Sequence, residues 1–267
     1  MPIITISRGS KIGGQALAEM VAERLNCPNL ISREVLVKVS EEHGVSEKAL
    51  ATAMNEPPHF WSRSTRTTRR LYLTFIRAAL LEYAAEGCMV YHGNAGHFLL
   101  SEVDWVLKVR LIAPVEYRIS ALQQTMKIDR YEAERYIKKA DDERRRWTKF
   151  LYNEDWDDPS HFDVVINLKN ASLDTASNTI CGLANSPEYE RTEKRALDVA
   201  NRALAARVQV AFEANPKTRE ADVDVCAEGG VVYLCGQIAH DNLRSELVEA
   251  AAKVRGVSDL VDKMTIL

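Results

Sequence analysis

The sequence predicts an α/β chain: a five-stranded parallel sheet with helices on both faces, followed by a small α+β unit of αββαβ order. Three observations carry this expectation. Short β-branched runs alternate with amphipathic helical stretches up to about residue 185, the pattern of strands joined by crossover helices. A glycine-containing loop follows the first strand directly. Beyond Pro187 the pattern changes to a hairpin, a helix and a last strand. A chain of 267 residues has room for one ordinary domain and one small one. Its 27% charged and 46% hydrophobic residues are those of a folded globular protein. A net charge of −3 gives no support to wholesale nucleic-acid binding, so any basic site must be local.

Element by element, the run Ile3 to Ile6 reads as the first strand. Leu17, Met20, Val21 and Leu25 recur at helical spacing behind Gly13-Gly14. A short apolar segment at Asn29 to Ile31 follows, then Ser32 as the expected N-cap of a helix carrying Val35, Leu36 and Val39. Ser46 and Glu47 open another short helix that stops before Pro57-Pro58. His59, Phe60 and Trp61 lead into Arg63, Arg66, Arg69 and Arg70 with no acid among them. A long helix is expected from about 67 to 86, ended by Gly87, and then a strand at 88–91. The loop His92-Gly93-Asn94-Ala95-Gly96-His97 precedes a strand from Trp105 to Ile112. Helices are expected at about 115–126 and 130–150, the fifth strand from Phe162 to Leu168, and a closing helix at 173–183. A polar helix from Pro187 to about Asn215 leads to strands at 221–226 and 231–236 around Glu228-Gly229-Gly230, a hairpin signal. A helix at 241–254 and a strand at 258–266 complete the chain, with Gly236 and Gly256 read as turn glycines. The expected division is 1–185, a helical linker at 186–194, and 195–267.

The five cysteines, Cys27, Cys88, Cys181, Cys226 and Cys235, contain no C-x-x-C pair. Buried reduced thiols are expected rather than a disulfide framework or a zinc site. In the predicted hairpin Cys226 faces a residue near Tyr233, which keeps it from Cys235. No stretch approaches the ~20 apolar residues of a membrane-spanning helix, and the start Pro2-Ile3-Ile4-Thr5-Ile6 lacks the pattern of a signal peptide. A cytoplasmic protein is expected.

Gly9-Ser10-Lys11-Ile12-Gly13-Gly14-Gln15-Ala16 fits G-x-x-x-x-G followed by two positions that a phosphate-binding loop fills with Lys and Ser/Thr. Glycines turn backbone N–H groups inward, and the following helix N-terminus favours an anion. Gln15 lacks the cation that accompanies a transferring phosphoryl group, and Ala16 lacks the hydroxyl for magnesium. Lys11 is either a displaced cation or a solvated loop lysine. His92 and His97 flank the loop after the third strand; imidazoles serve as acid, base or ligand, or simply fill structure. Without a third ligand nearby, no metal site is expected.

Several segments taken together resemble the cytidylate-kinase-like proteins. They are Ile3-Ile4-Thr5-Ile6-Ser7-Arg8, Gly13-Gly14 with Ala16 and Ala18, Leu25, and Ser32-Arg33-Glu34. Further on come Gly87-Cys88-Met89-Val90, Ala113-Pro114-Val115-Glu116-Tyr117-Arg118, Asp141-x-x-Arg144, and Asp158-Pro159 with Phe162-Asp163-Val164-Val165-Ile166-Asn167. The resemblance covers residues 1 to about 184. It implies a P-loop nucleoside-monophosphate-kinase fold, ATP as phosphoryl donor with Mg2+, and a CMP-like nucleotide or related small molecule as acceptor. By position it assigns residues 9–16 to donor phosphates and Arg118 and Arg144, with Arg146 close by, to clamping phosphate. Arg63, Arg66 and Arg70 fall where such kinases carry acceptor-binding helices, and His92, Asn94 and His97 lie in the acceptor loop. The departures are Gln15, where the family has Arg or Lys, and Gly93-Asn94-Ala95, where it has Gly-Arg. Each lost cationic contact is worth ~1.5–3 kcal/mol, so the sequence leaves open an active phosphotransferase or a degenerate nucleotide-binding sensor or scaffold.

The C-terminal part resembles a BON domain through Val223, Val225, Gly230-Val231-Val232, Leu234, Gly236 and Val254-x-Gly256-Val257-x-x-Leu260-Val261. That resemblance implies phospholipid or protein contact. Nine Lys/Arg against eleven Asp/Glu over 195–267 do not favour anionic lipid. Homodimerisation or regulation through a protein contact is the expectation.

Overall fold

The computed structural model describes residues 1–9, 13–55 and 63–266, with backbone alone for 55 and 63–66. Its chain divides into two compact units, Met1–Trp61 with Gly87–Arg191, and Ser62–Glu86 with Thr192–Leu267.

In the first unit, β1 (Ile3–Arg8), α1 (Gly14–Arg24), β2 (Asn29–Ile31), α2 (Glu34–His43) and α3 (Glu47–Asn55) precede the long helix α4 (Arg63–Glu86) of the other unit. The first unit resumes with β3 (Met89–His92), α5 (Gly96–Leu99), β4 (Val106–Ile112), α6 (Val115–Met126), α7 (Arg130–Tyr152), β5 (Val164–Asn167) and α8 (Leu173–Ala184). The five strands are ordered β2-β3-β1-β4-β5, and every pairing is parallel. Strand alternation explains the core. Ile4, Ile6, Val90, Leu107, Val109 and Leu111 turn to one face and pack with Leu17, Ala18 and Val21 of α1 and Ala176 and Ile180 of α8. Ile3, Thr5, Met89 and Tyr91 are equally buried on alternate positions. Helix α7 begins with a capping box in which Asp129 accepts from the Glu132 N–H and the Glu132 carboxylate answers the Asp129 N–H.

Local details differ from the sequence expectation. Arg33, not Ser32, occupies the N-cap of α2; the Ser32 N–H is drawn instead to Glu34 Oε2 at 2.6 Å. The loop after β3 closes into the short helix α5, entered through Ala95 at φ 60°. Pro187 opens only a 3-10 turn, and the long helix starts after Thr192, whose hydroxyl caps it. Cys27 and Cys88 are disulfide-bonded with Cα atoms 5.3 Å apart, which corrects the expectation of reduced thiols. Register is the reason: Asn29 lies opposite Met89, so the segments entering β2 and β3 arrive side by side.

In the second unit, α9 (Glu193–Ala214) is followed by β6 (Val223–Glu228), β7 (Val231–Ile238), α10 (Asp241–Ala252) and β8 (Asp259–Ile266). The sheet order is β6-β7-β8, antiparallel then parallel. Leu204, Val208 and Phe212 of α9 and Leu247 and Ala251 of α10 meet Val232, Leu234 and Ile238 in its core. Helix α4 packs along α9. Ion pairs between them include Arg70 with Glu213 and Arg207 with Glu82 at 3.3 Å. Cys226 lies opposite Tyr233, and Cys226 and Cys235 are free thiols. Gly236 is not a turn residue. It sits inside β7 at φ +130°, where a Cβ would come 2.8 Å from the Asp222 carbonyl oxygen.

Candidate functional site

The carboxyl ends of β1, β3 and β4 lie side by side, and in open parallel sheets ligands bind at that edge. Arg8 ends β1, His92 ends β3, and Arg110 stands in β4 opposite Ser7. Gly9 follows at once. A Cβ there would lie 3.3 Å from the Arg118 guanidinium carbon, so the glycine lets that side chain lie against the backbone. Gly14 does the same for Arg8, whose Cδ would be 1.9 Å from any Cβ. Gly13 caps α1 in the left-handed region at φ 79°. Gln15 and Ala16 are exposed, and Gln15 donates to Glu19 at 3.0 Å. Ser10, Lys11 and Ile12 lie outside the described residues, as do the side chains of Arg63 and Arg66.

Arg118 from α6 reaches across to α7 and grips Asp141 with two parallel bonds of 2.7 Å, the fork geometry that suits a carboxylate. Arg144, one turn further along α7, stands 3.7 Å from the same carboxylate. Burial lowers the pKa of Arg8 and of Arg144, with Asp141 opposing the effect at Arg144. Arg110 is almost fully buried. It lies 3.6 Å above the Trp156 ring, donates to Ser7 Oγ at 3.4 Å and faces Asp157 at 3.6 Å. Burial brings its pKa down to about 10 although Asp157 pulls it up. Arg118 and Arg144 therefore share Asp141, Arg110 faces Asp157, and Arg8 is half-buried beside tyrosines, a concentration of cationic charge that an incoming polyanion would relieve.

A cavity of about 200 Å³ opens beside them. It is lined by Arg8, Ser32, Arg33, Tyr91, His92, Asn94 and Arg144 on its polar side, and by Val35, Leu36 and Met54 on its apolar side. His92 is 5% exposed, and its Nδ1 has no protein partner. Burial and then Arg8 push its pKa down, while Glu34 and Glu19 pull the other way. His97 is elsewhere. Its ring packs at a tilt against Phe98 at 4.1 Å and Phe162 at 4.6 Å, neither ring nitrogen has a partner, and burial pushes its pKa down to about 3. The two histidines thus occupy different surroundings.

Of the residues singled out in the sequence, the structure gathers Gly9, Gly14, Arg118, Arg144, His92 and Asn94. Arg146 is exposed and donates to the Asp142 carbonyl of its own helix at 3.2 Å. Arg70 belongs to the second unit, paired with buried Glu213. Sequence reading missed Arg8 and Arg110. The signal was there: an arginine closing an apolar first strand, and another interrupting Val106-Leu107-Lys108-Val109 before Leu111.

Magnesium, which the resemblance implies, finds no ready ligands among the described residues. Ala16 has no oxygen, both Asp141 oxygens are held by Arg118, and no group of three His, Cys, Asp or Glu converges.

Fold and site together define a kinase-like α/β protein that collects cationic side chains at the carboxyl edge of its sheet. The chain belongs to the cytidylate kinase-like family, whose model matches residues 3–170, and residues 200–267 match the BON domain. It is 25% identical over 199 residues to a cytidylate kinase of Methanopyrus kandleri, covering 72% of this chain and 96% of that protein. An uncharacterized protein from Eubacterium ventriosum shares the fold at TM-score 0.53 and 21% identity, over 68% of this chain and 97% of the other. A shikimate kinase from Acinetobacter baumannii aligns at TM-score 0.40 and 10% identity, over 68% of this chain and 92% of its own. No helix among the described residues is long and apolar enough to cross a membrane.

Proposed function

We propose that the first unit binds ATP at the loop after β1 and transfers its terminal phosphoryl group to a nucleoside monophosphate or a related small anionic acceptor. The observation that carries this is the convergence of Arg8, Arg118 and Arg144 beside Gly9, Gly14 and an adjoining cavity. Phosphoryl transfer asks for little covalent chemistry from a protein and much positioned positive charge. Arg118 and Arg144 are the phosphate clamps, and Arg8 stands between donor loop and acceptor cavity. The second unit acts as a contact module for protein or for a second copy of the chain, and the whole works in the cytoplasm.

A second reading, a nucleotide sensor without turnover, is favoured by one specific pair of residues. Gln15 is turned to Glu19, and Ala16 offers no hydroxyl. Calorimetry with ATP on wild type and Gln15→Lys, with and without magnesium, separates the two when combined with ADP release across nucleoside monophosphates and other anionic acceptors. ADP release by the wild type supports transfer. ATP binding without ADP release from any acceptor supports the sensor, and no ATP binding by the wild type overturns both.

A further inference from the structure

Among the described residues, the cavity lining is cationic on its polar side, with Arg8, Arg33 and Arg144 and no carboxylate. Its occupant is therefore an anion. At about 200 Å³ it lies below the ~300–1,000 Å³ of clefts that enclose drug-sized ligands, a size for a compact molecule rather than a base, a ribose and a phosphate together. His92 adds the chemical detail. It lines the cavity, is 95% buried by its 5% exposure, and carries a ring nitrogen without a protein partner.

A phosphate acceptor needs no base, because a monoester loses its second proton near pH ~6. A hydroxyl acceptor does, and a neutral imidazole within reach supplies one. We infer, resting on the phosphotransferase reading above, that the acceptor is a compact anionic alcohol whose hydroxyl gives its proton to His92 as it attacks the phosphoryl group. Arg8 and Arg144 hold the acceptor's anionic group, and Arg33, paired with Glu47 at 2.9 Å, stands at the mouth. The acceptor O–H bond breaks, with its proton passing to the imidazole, and an O–P bond forms to the γ-phosphorus of the nucleoside triphosphate. The bond from that phosphorus to the β–γ bridging oxygen breaks, and the nucleoside diphosphate leaves with the electron pair. The imidazolium then returns its proton to solvent.

Among the described residues, the charged and titratable groups around His92 are Arg8 of β1, Glu19 of α1, Arg33 and Glu34 at the start of α2, Tyr91 of its own strand and Arg144 of α7. Burial and Arg8 prevail over the two glutamates and lower the pKa of the imidazole, which favours its neutral form.

The test is an acceptor panel on the full wild-type chain with ATP, read by phosphorus NMR. Compact anionic alcohols (glycerate, 3-phosphoglycerate, glycerol 3-phosphate, ribose 5-phosphate) are set against CMP, UMP and AMP. A new phosphomonoester from an alcohol, and no nucleoside diphosphate from a monophosphate acceptor, is the expected result. Formation of CDP, UDP or ADP from those monophosphates with no alcohol product overturns the inference while leaving phosphoryl transfer intact. No ADP release with any acceptor removes the underlying reading, and the inference with it. In His92→Asn, kcat for the alcohol falls by about 10²–10⁴ with KM little changed, and the acidic limb of the kcat profile disappears. Persistence of that limb in His92→Asn, or in His92→Gln should the first variant fold poorly, overturns the assignment to His92.

Discussion

Arg118 and Asp141 lie on successive helices, yet each is the other's main partner, with side-chain exposures of 13% and 10%. Removing one member of a buried pair costs about 3–5 kcal/mol, and here Arg144 at 3.7 Å stays beside Asp141, which places the cost at the low end. Arg118→Ala is therefore expected to lower stability on that scale and to weaken ATP binding together. Arg118→Lys recovers part of the stability without the bidentate geometry. Urea unfolding and calorimetry on both variants check this; an unchanged unfolding midpoint in Arg118→Ala would refute it. Arg118, Asp141 and Arg144 were legible in the sequence because they sit in recognisable segments. Arg8 and Arg110 were not singled out, since the charge of a strand residue says nothing of which strand end it will share. His97 supplies a pH test. It protonates in the folded chain only near pH 3 and in the unfolded chain near 6.5. Between those values the unfolded state binds more protons, so stability falls as pH drops from 6.5 toward 3. The slope is up to about 1.4 kcal/mol per pH unit. His97→Phe, which keeps an aromatic ring among Phe98 and Phe162, should flatten that part of the stability curve in urea titrations at stepped pH.

Among the elements, the strands were the most legible because β-branched runs bounded by glycine and proline leave little choice. Their order and parallel pairing follow the alternation with helices. Helix beginnings were less legible where two caps compete. Glu34 claims the Ser32 N–H and moves the start of α2, and Thr192 takes the role expected near Pro187. The disulfide was invisible for a different reason. Cys27 and Cys88 are 61 residues apart, and only the β2–β3 register makes them neighbours. A cross-link closing a loop of that size stabilises by about 4 kcal/mol in the chain-entropy account. The non-reduced protein is expected to melt above the reduced one, with Cys88→Ala matching the reduced form and insensitive to dithiothreitol. Equal melting temperatures with and without reductant would show that the bond contributes nothing. Gly236, read as a turn, proves to be a strand residue for want of space beside Asp222, a constraint that only the hairpin's close pairing creates.

On the scale of the whole molecule, the chain does not fall into two consecutive pieces. Helix α4 sits in sequence between α3 and β3, yet its contacts group it with the C-terminal residues. The sequence predicts this helix at about 67–86, but not which unit buries its Phe75, Ile76, Leu80 and Leu81. A fragment of residues 192–267 lacks that helix. It is expected to expose the α9 face that α4 occupies and to behave as a loosely packed or self-associating species, seen as dye binding and early elution on gel filtration. A sharp, cooperative melt from a monomeric fragment would show that α4 is dispensable. The same interlacing has a consequence for how the protein is made. Helix α4 leaves the ribosome about a hundred residues ahead of α9, a wait on the order of ten seconds at ordinary elongation rates. Throughout that interval the nascent chain can complete the β1–β3 part of its first sheet while α4 still lacks its eventual partner. Newly made chains should therefore be a preferred client of ribosome-associated holdases, and slowing translation between residues 87 and 192 should lower the yield of native protein.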